Sequence, residues 1–352
     1  MKKVISGIQQ IGIGNRGVHP LWKWYRQNFG MDIGIFEEAA EAPLMTIYTG
    51  GEVHSRNAAL TINMQGGGGF EIWQFTSREA QPPTFTPSLG DYGIYMAKMK
   101  SRDVKKAYNT FKDRGLDIQG ELATDPTGNP HFYVKDPNGN LFNVVKGNDW
   151  FGENDHLTGG AYGAVMGVSD IDKSLKLYRD VLEHDQVIYD ETGVFDDLAE
   201  LEGGKGKFRR VLLQNSKPRK GAFGPLLGNS QIELIQKLDG NGRKLFENRF
   251  WGDLGYIHLC FDVRNMKALQ SECEAAGFPF TVDSDGSFDM GQAAGRFSYI
   301  EDPDGAWIEF VETHKVPVME KWNWYLNIKN RKPEKPLPNW MLKALRFNKV
   351  KD

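Results

Sequence analysis

The strongest constraint on this chain is that it repeats itself. KDPNGNLFNVVKG at 135–147 is matched by EDPDGAWIEFVET at 301–313, each an Asp-Pro-Asn/Asp-Gly turn followed by an apolar strand. Upstream of each lies a longer pair, LGDYGIYMAKMKSRDVKKAYNTFKDRGL (89–116) and WGDLGYIHLCFDVRNMKALQSECEAAGF (251–278). Both read as a strand and then a helix closed by Gly115 or Gly277. A second kind of repeat opens each half: IQQIGIGNRGVHPLWKWYRQNFGMDI (8–33) and AYGAVMGVSDIDKSLKLYRDVLEHDQV (161–187). Each is again a strand, a helix carrying Tyr-Arg and a short break, with Ser169 or Asp170 as a natural N-cap in the second. The chain therefore divides into four units near 5–75, 88–147, 160–236 and 252–313. Short strands end units one and three, in GGGGFEIWQF and NSQIELIQK. One helix per unit followed by a run of strands predicts an α+β fold rather than a doubly wound α/β one.

Pro-, Gly- and polar-rich segments at 76–87 and 148–159 read as linkers, giving an N-terminal domain over 1–150 and a C-terminal domain over 151–313. A tail over 314–352 follows, with ten Lys/Arg against three Asp/Glu and with Trp322, Trp324, Tyr325 and Trp340. Its aromatics are expected to anchor it across the two halves or on a partner subunit. The Gly-rich runs GGGGF (66–70) and GGKGKF (203–208) lack the spacing and the strand–helix context of a phosphate loop, and they read as hairpin turns. Net charge is −3, so no global field points to nucleic acid or a membrane. Cys260 and Cys273 sit in apolar periodic runs and read as free, buried thiols of a reducing compartment. No stretch of about 18 apolar residues could span a bilayer, and MKKVISGIQQIGIG lacks the apolar run of a signal peptide. These features predict a cytoplasmic protein, monomer or homodimer, with a small-molecule substrate.

Tandem β-α-β-β-β units with LYRDVL (177–182) and EDPDGAWIEFVE (301–312) resemble the vicinal-oxygen-chelate superfamily of glyoxalase I, extradiol dioxygenases and bleomycin-resistance proteins. The resemblance spans about residues 5–313. It implies paired units whose curved sheets form cups around a metal, with ligands from the middle of each unit's first strand and from its last strand. Mapped onto this chain, the first-strand positions are Gln10, Ile94 (with Gly93 or Tyr95 after a one-residue gap), Gly163 and His258; the last-strand positions are Glu71, Asn143, Glu233 and Glu309. Pairing one-with-two and three-with-four, as in extradiol dioxygenases, would leave Glu233, His258 and Glu309 in the second cup. Pairing one-with-four gathers Gln10, Glu71, His258 and Glu309 and leaves the other cup nearly without donors. The second arrangement, like that of fused monomeric glyoxalase I, is the preferred reading.

Strand phase independently groups each donor with apolar or small neighbours: Glu71 with Trp73 and Phe75, His258 with Tyr256 and Cys260, Glu309 with Trp307 and Val311. Unpaired carboxylates on such faces are costly, so they must protonate, find a cation or bind a metal. One nitrogen, two carboxylates and an amide oxygen suit a divalent metal, zinc or nickel first, with iron, manganese, cobalt or magnesium also compatible. The set lacks the two histidines of a non-haem iron oxygenase, and Gly163 stands where an extradiol enzyme would place its second one.

The resemblance thus implies a glyoxalase-like metal-dependent lyase or isomerase that transfers a proton through an enediolate. Glu309 would be the base, Glu71 would serve the other proton position, and Trp73, Phe75 and Trp307 would line the substrate pocket. Glutathione-using relatives carry Arg, Asn and Arg at positions held here by Gly14, Phe75 and Leu254, so the thiol, if one is used, need not be glutathione. A ring-cleaving dioxygenase and a non-catalytic binding or resistance protein are the competing readings.

Overall fold

In the computed structural model, which describes residues 2–285, 288–289, 294–319 and 324–351, each unit takes the predicted order. Unit one is β1 (Val4–Gly14), α1 (Val18–Phe29), β2 (Ile33–Glu41), β3 (Ser55–Ile62) and β4 (Gly69–Phe75). Unit two is β5 (Gly93–Ser101), α2 (Val104–Asp113), β6 (Asp117–Thr124), β7 (Pro130–Lys135) and β8 (Leu141–Lys146). Unit three is β9 (Ala161–Gly167), α3 (Ile171–Leu175, continued by a π-helical turn), β10 (Gln186–Gly193), β11 (Phe208–Gln214), the short α4 (Gly224–Leu227) and β12 (Gln231–Lys237). Unit four is β13 (Gly255–Arg264), α5 (Met266–Ala276), β14 (Val282–Asp283), β15 (Phe288–Asp289), β16 (Ala294–Glu301) and β17 (Trp307–Met319). Asp170, rather than Ser169, caps α3, its carboxylate accepting from the Lys173 amide.

The sheets are built across the two halves of the chain. One runs β14-β16-β17-β13-β1-β4-β3-β2 and joins units four and one; the other runs β10-β11-β12-β9-β5-β8-β7-β6 and joins units three and two. First strands meet antiparallel at each centre, β1 on β13 and β5 on β9, and each is flanked by its own unit's last strand in parallel. The pairing is thus one-with-four and two-with-three. Units of the same half meet instead through a single apolar cluster that draws on both sheets and on α1, α2, α3 and α5.

Two repeated motifs lock that layer. The Tyr25 hydroxyl of α1 donates to Asp136 in the first DPNG turn at 2.6 Å, and the Tyr178 hydroxyl donates to Asp302 in the DPDG turn at 2.8 Å. Each aspartate's other oxygen accepts backbone N–H groups of its own turn. The Tyr-Arg helices and the DPxG turns are therefore two ends of one contact, written twice.

Both Gly-rich runs lie between antiparallel neighbours, β3/β4 and β10/β11. In the first, Gly67 has φ +108°, and a Cβ there would stand 2.9 Å from the Ala161 carbonyl, so glycine permits the two halves to touch at this loop. The tail does cross the two halves, but its anchors are aliphatic. Ile328, Leu337, Leu342 and Leu345 bury against Ile33 and Met64 of unit one and Ala222 and Leu226 of unit three, whereas Trp340 is 60% exposed. Tyr325 lies in β18 (Trp324–Asn327), which extends the sheet beside β17; Trp322 lies outside the described residues, as does the side chain of Trp324. Cys260 and Cys273 are free and buried. Among the described residues, no helix is long and apolar enough to cross a membrane.

Candidate functional site

The site forms where β1 and β13 meet, because two of the three register slips between them fall beside it. Ile8 faces Phe261 and Gln10 faces Cys260, so β1 carries one extra residue, Gln9. Ile11 faces Leu259 and Ile13 faces Tyr256, so Ile257 and His258 stand opposite the single residue Gly12. Such bulges re-aim side chains and increase local twist. Their effect corrects the simple alternation that placed His258 with Tyr256. Tyr256 turns into the layer between the sheets, where its hydroxyl donates to the Leu141 carbonyl at 2.6 Å. Ile257 turns to the concave cluster with Trp73, Trp251 and Trp307, and the buried His258 ring stacks beside Trp251. The ring lies directly on the β1 backbone: a Cβ on Gly12 would stand 2.5 Å from His258 Cε1.

Four strands then deliver four donors to one point. Across the parallel ladders Glu71 lies beside Gly12, and Glu309 lies beside Cys260. His258 Nε2 is 3.2 Å from Glu71 Oε2 and 3.1 Å from Glu309 Oε2. Gln10 Nε2 is 3.4 Å from each of the same two oxygens. One ligand atom each from Glu71, His258 and Glu309 falls within 4.8 Å of the others. Although close to both carboxylates, His258 Nε2 is aligned with neither for a hydrogen bond, and Gln10 Oε1 also is buried without a partner. The Gln10 amide donates to both carboxylates, while Glu71, His258 and Glu309 converge as ligands do, around a common centre. A half-turn of the terminal amide torsion, which has two broad wells, would exchange Gln10 Nε2 for Oε1 at that centre.

The electrostatics fit this picture. Burial raises the Glu309 pKa, and Glu71 raises it further against the opposing pull of His258. Burial disfavours the His258 imidazolium, yet Glu309 and Glu71 outweigh it and the pKa rises. Two buried carboxylates share one titratable ring, so the cluster needs a positive charge, as a proton or as a cation, to offset their mutual repulsion. The donor set of one imidazole, two carboxylates and an amide fits a divalent metal.

Tyr299 and Cys260 complete the surroundings. Tyr299 is paired directly across β16 and β17 with Glu309, and its hydroxyl lies 3.4 Å from His258 Nδ1. Burial, and then Glu309, pushes both the Tyr299 phenol and the Cys260 thiol well above their ordinary values, so both stay neutral donors beside the carboxylate.

The sequence-based positions fare differently one by one. Gln10, Glu71, His258 and Glu309 come together. Glu233 does not join them: it lies in the other sheet, where its carboxylate takes Lys98 Nζ at 2.7 Å, the Tyr189 hydroxyl at 2.7 Å and Arg210 Nη2 at 2.7 Å. Burial alone would raise its pKa, but Lys98 and Arg210 hold it well below the usual carboxylate range. Asn143 sits in that second cup with His131. Gly163 is the true counterpart of Gln10, since Val165 beside Glu233 matches Gly12 beside Glu71. Ile94 is not the counterpart of His258; Met96 is, because Lys98 lies beside Asn143 as Cys260 lies beside Glu309. The ungapped repeats 89–116 and 251–278 agree, since the bulge at Tyr95 repeats the one at Ile257 and His258.

A cavity of about 530 Å³ opens beside Gln10, Glu71 and Glu309. Trp73 lines it, but Phe75 packs edge-on behind Trp73, and Trp307 packs against Tyr48 and Phe246. Sequence reasoning missed Trp251, Phe297 and Tyr299 on its wall.

Farther along β13, Asp262 is wholly buried, and burial pushes its carboxyl up to about 7 despite opposing help from Ser6. A pKa raised above its unfolded value means stability present below pH about 4 and eroded as pH rises toward 7. Asp262→Asn should therefore flatten urea-unfolding stability between those limits. An unchanged slope would show that Asp262 finds a partner that holds its charge.

Two stretches of the chain, 7–144 and 155–310, match the family model described as the Glyoxalase/Bleomycin resistance protein/Dioxygenase superfamily. No curated protein sequence matches the chain. Among solved structures, glyoxalase I from Zea mays is similar at 14% identity, over 99% of this chain and 96% of that one, with a TM-score of 0.54. A candidate dioxygenase from Bacillus subtilis is similar at 13% identity, over 89% of this chain and 86% of that one, also with a TM-score of 0.54. At these identities the likeness is one of fold.

Proposed function

Because this chain belongs to the glyoxalase/bleomycin resistance protein/dioxygenase superfamily, we propose that Gln10, Glu71, His258 and Glu309 hold one divalent metal and that the protein is a metal-dependent lyase or isomerase. The observation that carries this reading is the convergence of Glu71, His258 and Glu309 from three strands, with His258 Nε2 buried and unbonded and the Gln10 amide beside both carboxylates. When bound, zinc or nickel would supply Lewis acidity toward two adjacent oxygens of a small substrate, easing negative charge on them.

The protein's own groups do the rest. Glu309, buried and with a raised pKa, takes a proton from the carbon next to a carbonyl and returns it to the neighbouring position. Tyr299 and Cys260 orient it as neutral donors. Glu71, across the centre, serves the opposite face. His258 and Gln10 fix geometry, and the Trp251 ring beside His258 keeps water from that side. The single nitrogen donor disfavours a dioxygenase.

The test is metal content after purification without chelator, together with solvent-deuterium exchange at the carbon next to the carbonyl of 2-hydroxyacetophenone, followed by proton NMR. One bound divalent ion and metal-dependent exchange are expected. Protein that neither retains nor takes up metal, and that exchanges no proton, would sink the reading. Gly12→Ala provides a geometric check. A methyl group 2.5 Å from the His258 ring forces the ring away, and a displaced ligand should weaken metal binding by about 10–100-fold, as loss of outer-shell support does. Chelator competition measures this, and unaltered affinity would mean the ring is not a ligand.

A further inference from the structure

The cavity beside the four donors is not closed by the paired units alone. Gln10, Glu71 and Glu309 face it at the row where Leu60 is paired with Glu71; Trp73, Trp251 and Met45 stand to one side, and the other side is walled by Phe223 and Leu226, from the α4 segment of unit three, and by Leu345, from the tail. Between the donors and that wall lie Ile62 of β3 and Val311 of β17. The far wall is fixed in place: Leu226 and Leu345 belong to the same buried cluster as Ile33, Ile62 and Met64, and the Leu226 carbonyl accepts the Gly67 amide at 2.9 Å. From the donors to that wall the cavity, about 530 Å³ in all, is thus a largely apolar trough, and its size is within the range of sites for small organic ligands.

Its charges argue against an anionic occupant. Arg56 and Lys315 are the cations on the described wall. Arg56 is held by Glu38, through the carbonyl at 2.8 Å and the carboxylate at 3.1 Å, and the Lys315 ammonium lies 4.1 Å from the centre of the Tyr325 ring. Glu38 and Glu41 face the same space. A thiol conjugate bearing several carboxylates, such as a glutathione adduct, would meet engaged cations and, in Glu41, an acid beyond the one that holds Arg56. An apolar cavity, by contrast, binds apolar groups readily because water gains little there.

We propose that the substrate class is an uncharged compound with two adjacent oxygens at one end and an extended alkyl or aryl group at the other, the oxygens at the four donors and the apolar group lying along the trough toward Leu226 and Leu345. This inference rests on the proposed function for its polar end, and it adds that α4 and the tail, elements outside the four repeats, set the length of substrate accepted.

Straight-chain hydroxamates from acetohydroxamate to octanohydroxamate present two adjacent oxygens on tails of graded length. Their affinity for the zinc-loaded full chain, measured by calorimetry, should rise by roughly three- to fourfold for each methylene buried, up to the length at which the far wall is reached. Leu226→Trp and Leu345→Trp should each cap the rise at a shorter chain; an unchanged circular-dichroism spectrum and zinc stoichiometry are the control for correct folding, and the wild-type series stands whether or not a variant folds. A flat series with good acetohydroxamate binding overturns the substrate class and leaves the proposed function standing. Failure of every hydroxamate to bind the zinc-loaded protein overturns the proposed function and, with it, the seat for the polar end. Tighter binding of S-hexylglutathione than of octanohydroxamate overturns the exclusion of charged conjugates.

Discussion

Glu309→Gln should slow deuterium exchange of 2-hydroxyacetophenone by about 10²–10⁴-fold, the usual contribution of a positioned general base, while metal stays bound. The amide keeps the shape of the carboxylate and an oxygen able to ligate, as Gln10 offers already, but it cannot accept a proton from carbon. His258→Ala should behave differently, losing metal first and exchange only as a consequence. Glu309 rather than Glu71 is the expected base because of its surroundings: it faces Tyr299 across the ladder and is 7% exposed, whereas Glu71 faces Leu60. Glu71→Gln should therefore cost less exchange than Glu309→Gln at equal metal occupancy. The reverse order would exchange the two roles, and full exchange in both variants would remove proton transfer by carboxylate from the proposal. Metal content and exchange must be read on the same samples, since loss of both in Glu309→Gln would show only that Glu309 is a ligand.

The repeats made the fold legible, and the same observation shows where sequence reasoning stops. Gln10, Glu71, His258 and Glu309 were singled out because the family resemblance names strand positions and the repeats carry those positions along the chain. Ile94 was the wrong counterpart of His258 because a gap was opened where none is needed: 89–116 and 251–278 align residue for residue with Met96 under His258, and the bulge at Tyr95 repeats the one at Ile257 and His258, so it leaves that alignment intact. Tyr299 was within reach. The DPDG turn pairs Glu301 with Trp307, and stepping two residues along each strand pairs Tyr299 with Glu309. The search for donors in first and last strands passed over the intervening one. Phe75 and Trp307 were placed on the right cluster, but nothing in strand phase says which aromatic ring stands in front of another. The far wall of the cavity could not be read at all, because Phe223, Leu226 and Leu345 come from a connection and a tail that repeat nowhere else in the chain.

The second cup gives the largest expected loss of stability without any expected loss of metal. Its glutamate occupies the place of Glu71, but the positive charge it meets is built into the chain: Lys98 stands where Cys260 stands in the first cup, and Arg210 reaches in from β11. Arg210 also bonds Asp197 through Nη1 at 2.8 Å, so two buried cations face two buried carboxylates. The space between is filled by Leu89, Met96, Val165 and Phe208. Glu233→Met removes one anion and leaves Lys98 uncompensated in that interior, which should cost about 3–5 kcal/mol, the usual penalty for breaking a buried pair from one side. Urea unfolding measures it. Adding Lys98→Met to the same protein restores charge balance, leaving Arg210 with Asp197, and should recover most of the loss, because apolar side chains of similar volume often replace a buried ion pair at little cost. The sign of that coupling is the discriminating result. If Glu233→Met alone costs less than about 1 kcal/mol, in the range of an exposed pair, the ions are better solvated than their burial implies. If instead it empties the protein of metal, the cation site lies in the second cup and the role given to Glu71 and Glu309 falls.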